Sequence, residues 1–315
     1  MKKTIAYIAV ILAAGLAFSC EKENSSTSTP SIQGLDLENT PIPYVAPGTT
    51  VTLKADVSNI YTSDDKTPDE PIGLYWVVTD VLRDTTTRDI KVSNPEFSYC
   101  AAEVGTITIT CYAYSKGYTS ASVSVTYAAI DPETSLTGLE GTVADINGDK
   151  YYVADIGGTT WMASNLYTTQ SGISFFQSSV TDPILGRFYT WEEAQSACPE
   201  GWKLPTAEQW DALGSNACDL MVDAAMLDVQ MWPYWPGVDI TNAKKFNAIP
   251  VGYVDRAGGD NNVQGFMDYA IFWTATEADD PALAQYRFIY SDNATVQKGN
   301  GGKTSLALSV RCIKE

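Results

Sequence analysis

The sequence predicts two folded domains in series, an all-β sandwich followed by an α+β domain, both behind an export signal. Three observations lead there. From Leu35 to Ile130 apolar and polar residues alternate in short runs, the period of half-buried strands. Beyond about residue 142 the alternation thins, Trp and Gly become frequent, and two helix starts stand out. The first twenty residues join a basic pair to a short apolar run and small residues, the layout of a secretory signal.

The export signal comes first in the chain. Lys2 and Lys3 precede an apolar run from Ile5 to Phe18. That run is shorter than the roughly 20 apolar residues needed to span a bilayer. Residues 1–19 are therefore read as a signal peptide. Cys20 sits at the cut site, and the segment resembles a bacterial lipoprotein signal, in which that cysteine is lipidated and becomes the new N-terminus. It departs from the usual pattern at Ala17, where such signals carry Leu. Two or more acyl chains, at about 0.8 kcal/mol per buried CH₂, make a stable anchor. Residues 20–34, rich in Ser, Thr, Lys and Glu, read as a flexible stalk behind that anchor.

Residues 35–130 carry the sandwich. Val51, Leu53, Ala55 and Val57 alternate with polar neighbours, as do Leu74, Trp76 and Val78. Ile107, Ile109, Cys111 and Ala113 follow, then Ala121, Val123, Val125 and Tyr127. These residues are expected on inner faces. Short strands separated by turn-formers such as Asp64-Asp65-Lys66-Thr67-Pro68 predict an immunoglobulin-like sandwich. Cys100 and Cys111 lie within it, and in an oxidising envelope they can pair. The other reading makes Cys111 a small buried hydrophobe and Cys100 a loop residue.

Residues 131–142 read as a linker, and residues 143–315 as the second domain. Thr190-Trp191-Glu192-Glu193 and Thr206-Ala207-Glu208-Gln209 are capping boxes, each starting a helix. Strands are expected at Tyr151 to Ile156, Ile271 to Ala275, Tyr286 to Tyr290 and Leu306 to Ile313. In the last of these Leu308, Val310 and Cys312 share the inward face.

Composition bounds the function. The net charge is -18, which argues against nucleic acid and against docking on anionic lipid. The count of His is zero, so no imidazole base, triad or His-ligated zinc exists. The cysteines lack C-x-x-C spacing. A carboxylate pair alone can hydrolyse a glycoside, but nothing in the sequence singles one out. No catalytic residue, metal or cofactor is assigned, and the protein is expected not to be an enzyme.

A resemblance sharpens the second domain. The segment from Asp145-Ile146-Asn147-Gly148-Asp149 leads into Gly157-Gly158-Thr159-Thr160-Trp161-Met162-Ala163-Ser164-Asn165-Leu166. After it come Gly186-Arg187-Phe188-Tyr189-Thr190-Trp191 and Cys198-Pro199-Glu200-Gly201-Trp202-Lys203-Leu204-Pro205. Phe246-Asn247-Ala248-Ile249-Pro250, Phe272-Trp273-Thr274-Ala275 and Ser309-Val310-Arg311-Cys312 complete the series. These pieces, in this order, resemble the Fibrobacter succinogenes major paralogous domain, common in lipoproteins of Bacteroidetes and Fibrobacteres. That family is similar to C-type-lectin-like domains, and the likeness implies a disulfide between Cys198 and Cys312. In the first domain, Leu74-Tyr75-Trp76-Val77-Val78-Thr79-Asp80 with Gly105-Thr106-Ile107-Thr108 resembles PKD-like domains of bacterial surface proteins.

The candidate sites are few. Neither tripeptide that holds calcium in sugar-binding C-type lectins, Glu-Pro-Asn or Gln-Pro-Asp, occurs in the chain. Asp145, Asn147 and Asp149 have calcium-loop spacing, but Lys150 stands where that loop needs Gly, and Asn147-Gly148 reads as a tight hairpin turn. The candidate ligand contacts are Trp232, Tyr234 and Trp235, in the loop Met231-Trp232-Pro233-Tyr234-Trp235-Pro236-Gly237. One of the two Trp is expected to be structural, by likeness to the family. The expected function is a lipid-anchored outer-membrane protein that presents a lectin-like domain to a glycan or protein at the cell surface. The alternative is a fimbria-associated or other envelope assembly subunit that binds no sugar.

Overall fold

The computed structural model describes residues 29–80, 85–89, 94–168, 170–257, 261 and 263–315. The signal peptide and Cys20 lie outside the described residues. The chain divides after Ile130 into two compact units, and in both strand far outweighs helix.

Alternation builds the first unit. A five-stranded sheet runs in the order Tyr44–Val45, Ala121–Ala129, Gly105–Tyr114, Gly73–Asp80, Thr85–Asp89. A three-stranded sheet holds Asp36–Leu37, Thr50–Asp56 and Glu96–Cys100. Their inner residues, among them Leu53, Trp76, Phe97, Ile107, Ile109 and Tyr127, form one apolar core in a sandwich-like arrangement. Trp76 lies flat against Phe97, ring centroids 5.4 Å apart.

The structure corrects two expectations in this unit and decides between the two readings of its cysteines. Val57 is exposed, because its strand ends at Asp56 and the backbone turns there. The end of the supposed stalk is folded: Ile32 is buried, and Ile32–Gln33 pairs with Tyr61–Thr62. Cys100 and Cys111 are free thiols. Cys111 points into the core between Trp76 and Val123, its partners across the large sheet. Cys100 is exposed at the end of a strand in the other sheet, opposite Thr50. One thiol faces solvent from one sheet and the other faces the core from the other sheet, so the two do not meet.

The second unit is woven from short pieces. Leu136–Thr137, inside the stretch read as a linker, pairs with Ala225–Met226. The hairpin of Thr142–Ile146 and Asp149–Ile156 continues through Thr159–Met162 to Ile313–Lys314 and Trp202–Lys203. Its turn uses Asn147 at φ 57° and Gly148 at φ 92°, the left-handed pair of a tight hairpin. Asp145, Asn147 and Asp149 thus build a turn. A second five-stranded sheet contains Arg187–Thr190, Leu306–Leu308 and Tyr253–Asp255. A third sheet joins Tyr269–Glu277, Leu283–Tyr290 and Gln297–Gly302.

Both capping boxes form. Thr190 starts the helix Trp191–Ala197, and Thr206 starts Ala207–Asp211. Each threonine hydroxyl accepts a backbone N–H while Glu193 or Gln209 reaches back, an arrangement worth about 1 kcal/mol per cap. The helices are short, and Trp191, Ala194 and Trp210 fasten them to the core.

The expected final strand is broken. Leu306–Leu308 belongs to one sheet and Ile313–Lys314 to another. Between them the chain changes sheets, held by Trp273 N–H on the Ser309 carbonyl at 3.2 Å and Met162 N–H on the Cys312 carbonyl at 2.8 Å. Cys312 nevertheless points inward and bonds Cys198 across 114 residues, with Cα atoms 5.9 Å apart.

Candidate ligand-binding site

The loop of residues 231–237 combines a buried base with an exposed tip. Met231 and Trp232 are buried, and the Trp232 indole N–H donates to the Ala248 carbonyl at 2.9 Å. Trp232 is therefore core and not a ligand contact; its one polar atom is satisfied inside. At the far end Val238 is buried, and its N–H donates to the Trp235 carbonyl at 3.1 Å. Gly237, at φ 85°, supplies the left-handed bend that returns the chain to the core. Anchored on both sides, the tip pushes outward. Tyr234 is 77% exposed and Trp235 43% exposed.

Two of the three aromatic candidates are thus exposed on one loop, and the third anchors its base. Two large exposed aromatics on a restrained loop can stack on sugar rings or act as interface anchors. Restraint matters because the loop loses little freedom on binding.

The family pieces converge on a residue that sequence reasoning left unexamined. Arg311 is fully buried. Its Nε donates to Asn165 Oδ1 at 2.8 Å, and its Nη1 and Nη2 donate to the carbonyls of Phe246 and Asn247, each at 2.9 Å. The guanidinium lies over the Phe246 and Phe272 rings, 4.9 Å and 5.5 Å from their centroids. Burial pulls its pKa down to about 9, still above neutral pH.

The surrounding amides extend this network. Asn165 Nδ2 donates to the Leu185 carbonyl; Asn247 Oδ1 accepts from Asn242 Nδ2 and the Glu140 backbone N–H, while Asn247 Nδ2 donates to the Glu140 carbonyl and its backbone N–H to Asn242 Oδ1. Gly186 packs against Asn165 so closely that a Cβ would sit 2.3 Å from the Asn165 Cβ. Asn165, Gly186, Phe246, Asn247, Phe272 and Arg311 all fall within the family pieces. Those pieces build the buried scaffold, and the exposed Tyr234 and Trp235 lie outside them.

The other motif residues behave as framework too. Trp161, Trp210, Phe246 and Phe272 form a ring cluster with centroid spacings between 5.1 and 5.9 Å. The indole N–H of Trp273 donates to the Tyr189 carbonyl, and that of Trp191 to the Thr274 carbonyl. Cys218 is a buried free thiol. Among the described residues no group of three or more His, Cys, Asp or Glu is placed to hold a metal. No helix among them is long and apolar enough to cross a membrane.

Residues 154–314 match the Fibrobacter succinogenes major domain, and the chain belongs to that family. No curated protein matches it. Among solved structures it is similar to the Yersinia pseudotuberculosis adhesin InvE at 10% identity, over 90% of this chain and 70% of that one. The TM-score is 0.27, too low for that likeness to support any argument.

Proposed function

We propose that this is a non-enzymatic binding protein of the bacterial envelope, anchored through a lipid on Cys20 and exposed at the outer-membrane surface. Its first unit acts as an immunoglobulin- or PKD-like spacer. Its second is a C-type-lectin-like domain that meets a glycan or protein through Tyr234 and Trp235. The observation that carries this reading is the restrained loop with both rings exposed, 77% and 43%, above a buried Trp232.

Several features support the finer assignments. The two facing sheets with Trp76 at the centre suit an immunoglobulin-like spacer. A disulfide from the end of the first capped helix to the end of the chain, with Trp161 paired to Ile313, suits a lectin-like domain. The absence of His from the sequence, and the commitment of Cys198 and Cys312 to a bond, support a binding role over catalysis.

A glycan array probed with the full chain tests this, with and without calcium, beside a Y234A/W235A variant. The expected result is calcium-independent binding that the variant loses. A blank array with a well-folded protein, and co-purification with other envelope proteins, would favour the assembly-subunit role instead.

A further inference from the structure

A pocket of about 910 Å³ opens in the second unit, against the hairpin strand Asp149–Ile156. Its volume falls within the roughly 300–1,000 Å³ typical of ligand sites. The chemistry of its wall is carried by Thr142, Asp155, Thr160, Lys244 and Lys245. Two cations and one carboxylate make the lining net positive, in a chain whose net charge is -18.

The lysines are held in place. Lys245 adopts φ 53°, a left-handed conformation that side chains other than Gly, Asn and Asp rarely take. The fold imposes it: Lys245 N–H donates to the Asn242 carbonyl at 2.7 Å, and Lys244 N–H to the Asp219 carbonyl at 3.0 Å. The buried amides of Asn242 and Asn247 clamp the same turn with hydrogen bonds of 2.8 and 3.0 Å. The Lys244 ammonium donates to the Leu213 carbonyl, and an ammonium has two more protons to give.

Neither lysine is neutralised. Lys54, Lys66, Lys116, Lys150, Lys298 and Lys303 each have a carboxylate oxygen within 4.0 Å. Among the described residues Lys203, Lys244, Lys245 and Lys314 have none, although acidic residues outnumber basic ones 38 to 20, and of these four only Lys244 and Lys245 line the pocket. Asp155, the one carboxylate in the wall, is engaged instead by the Thr160 hydroxyl at 2.6 Å. Hydroxyls and a carboxylate able to accept from sugar hydroxyls therefore stand beside two ammonium groups that have no carboxylate partner.

We propose that this pocket binds an acidic sugar, an oligosaccharide unit bearing a carboxylate or sulfate, with Lys245 and Lys244 taking the anion and Asp155, Thr142 and Thr160 the hydroxyls. It is a site separate from the exposed aromatic tip and does not depend on it. Against a net charge of -18, a locally positive lining favours an anionic group there over its placement on acidic surface.

Calorimetric titration of the full chain tests the proposal, using trigalacturonic acid, a heparin-derived tetrasaccharide and neutral maltotriose. At least one acidic probe is expected to bind and maltotriose is not, and the better acidic probe tells carboxylate from sulfate. K245E is expected to weaken that binding at least tenfold with an unchanged melting temperature. K245N, which tolerates the left-handed backbone, should weaken it less but measurably. Absence of binding by both acidic probes, or equal binding by wild type and both variants, would overturn the proposal.

Discussion

In the first unit Leu53, Trp76, Ile109 and Ala113 sit on regular strands, and each strand's neighbours supply its backbone hydrogen bonds. In the second, Met162, Leu166, Phe246 and Asn247 lie in or beside irregular chain that no ladder satisfies completely. Buried backbone groups need partners wherever they fall. The second unit meets that need with Arg311, Asn165, Asn242 and Asn247 in its interior, and with a disulfide. A regular sandwich can be stabilised by apolar area alone; a woven domain must place polar side chains in its core.

This contrast can be broken by mutation, and the largest effect is expected at Arg311. R311M keeps much of the apolar stem but leaves the Phe246 and Asn247 carbonyls and Asn165 Oδ1 without their donor. Stranded buried acceptors of this kind cost about 1–3 kcal/mol each, so a loss near 5 kcal/mol or more is expected. Chemical denaturation should show the second unit unfolding far earlier while the first keeps its midpoint. A change below about 1 kcal/mol would show that the network contributes little.

The disulfide sharpens the same contrast. A closed loop of about a hundred residues contributes up to ~4.7 kcal/mol on the chain-entropy account, and often less in practice. C198S should therefore lower the melting temperature of the second unit markedly. C100S, at an exposed free thiol, should leave melting of the first unlaltered within error, which differential scanning calorimetry resolves.

What was legible in the sequence follows the same division. Leu53, Trp76, Ile109 and their partners were readable because a period of two states which face is inside. Both helix starts were readable because a capping box is a local device. Arg311 was not: alternation puts it opposite Val310 and Cys312, and such a position ordinarily faces water. Here the chain changes sheets between Ser309 and Cys312, so both of its faces are buried. Its place within a family piece was the available signal.

The aromatic loop was half legible. Its two prolines and glycine marked a loop, and the family likeness required one structural Trp. Nothing local said that Trp232 reaches the Ala248 carbonyl while Trp235 stays outside. The lysine pocket had no signal at all, because Thr142, Asp155 and Lys245 come together only in the folded unit.

The central claim is that the family pieces and Trp232 form the scaffold while Tyr234 and Trp235 are free for a ligand. Thermal unfolding of W232A beside Y234A/W235A tests it most directly. Removing a fully buried Trp costs roughly 3–5 kcal/mol, so W232A should melt well below wild type, and Y234A/W235A should match wild type within about a degree, as exposed positions do. A comparable drop in both variants would place the tip in the core and contradict the account.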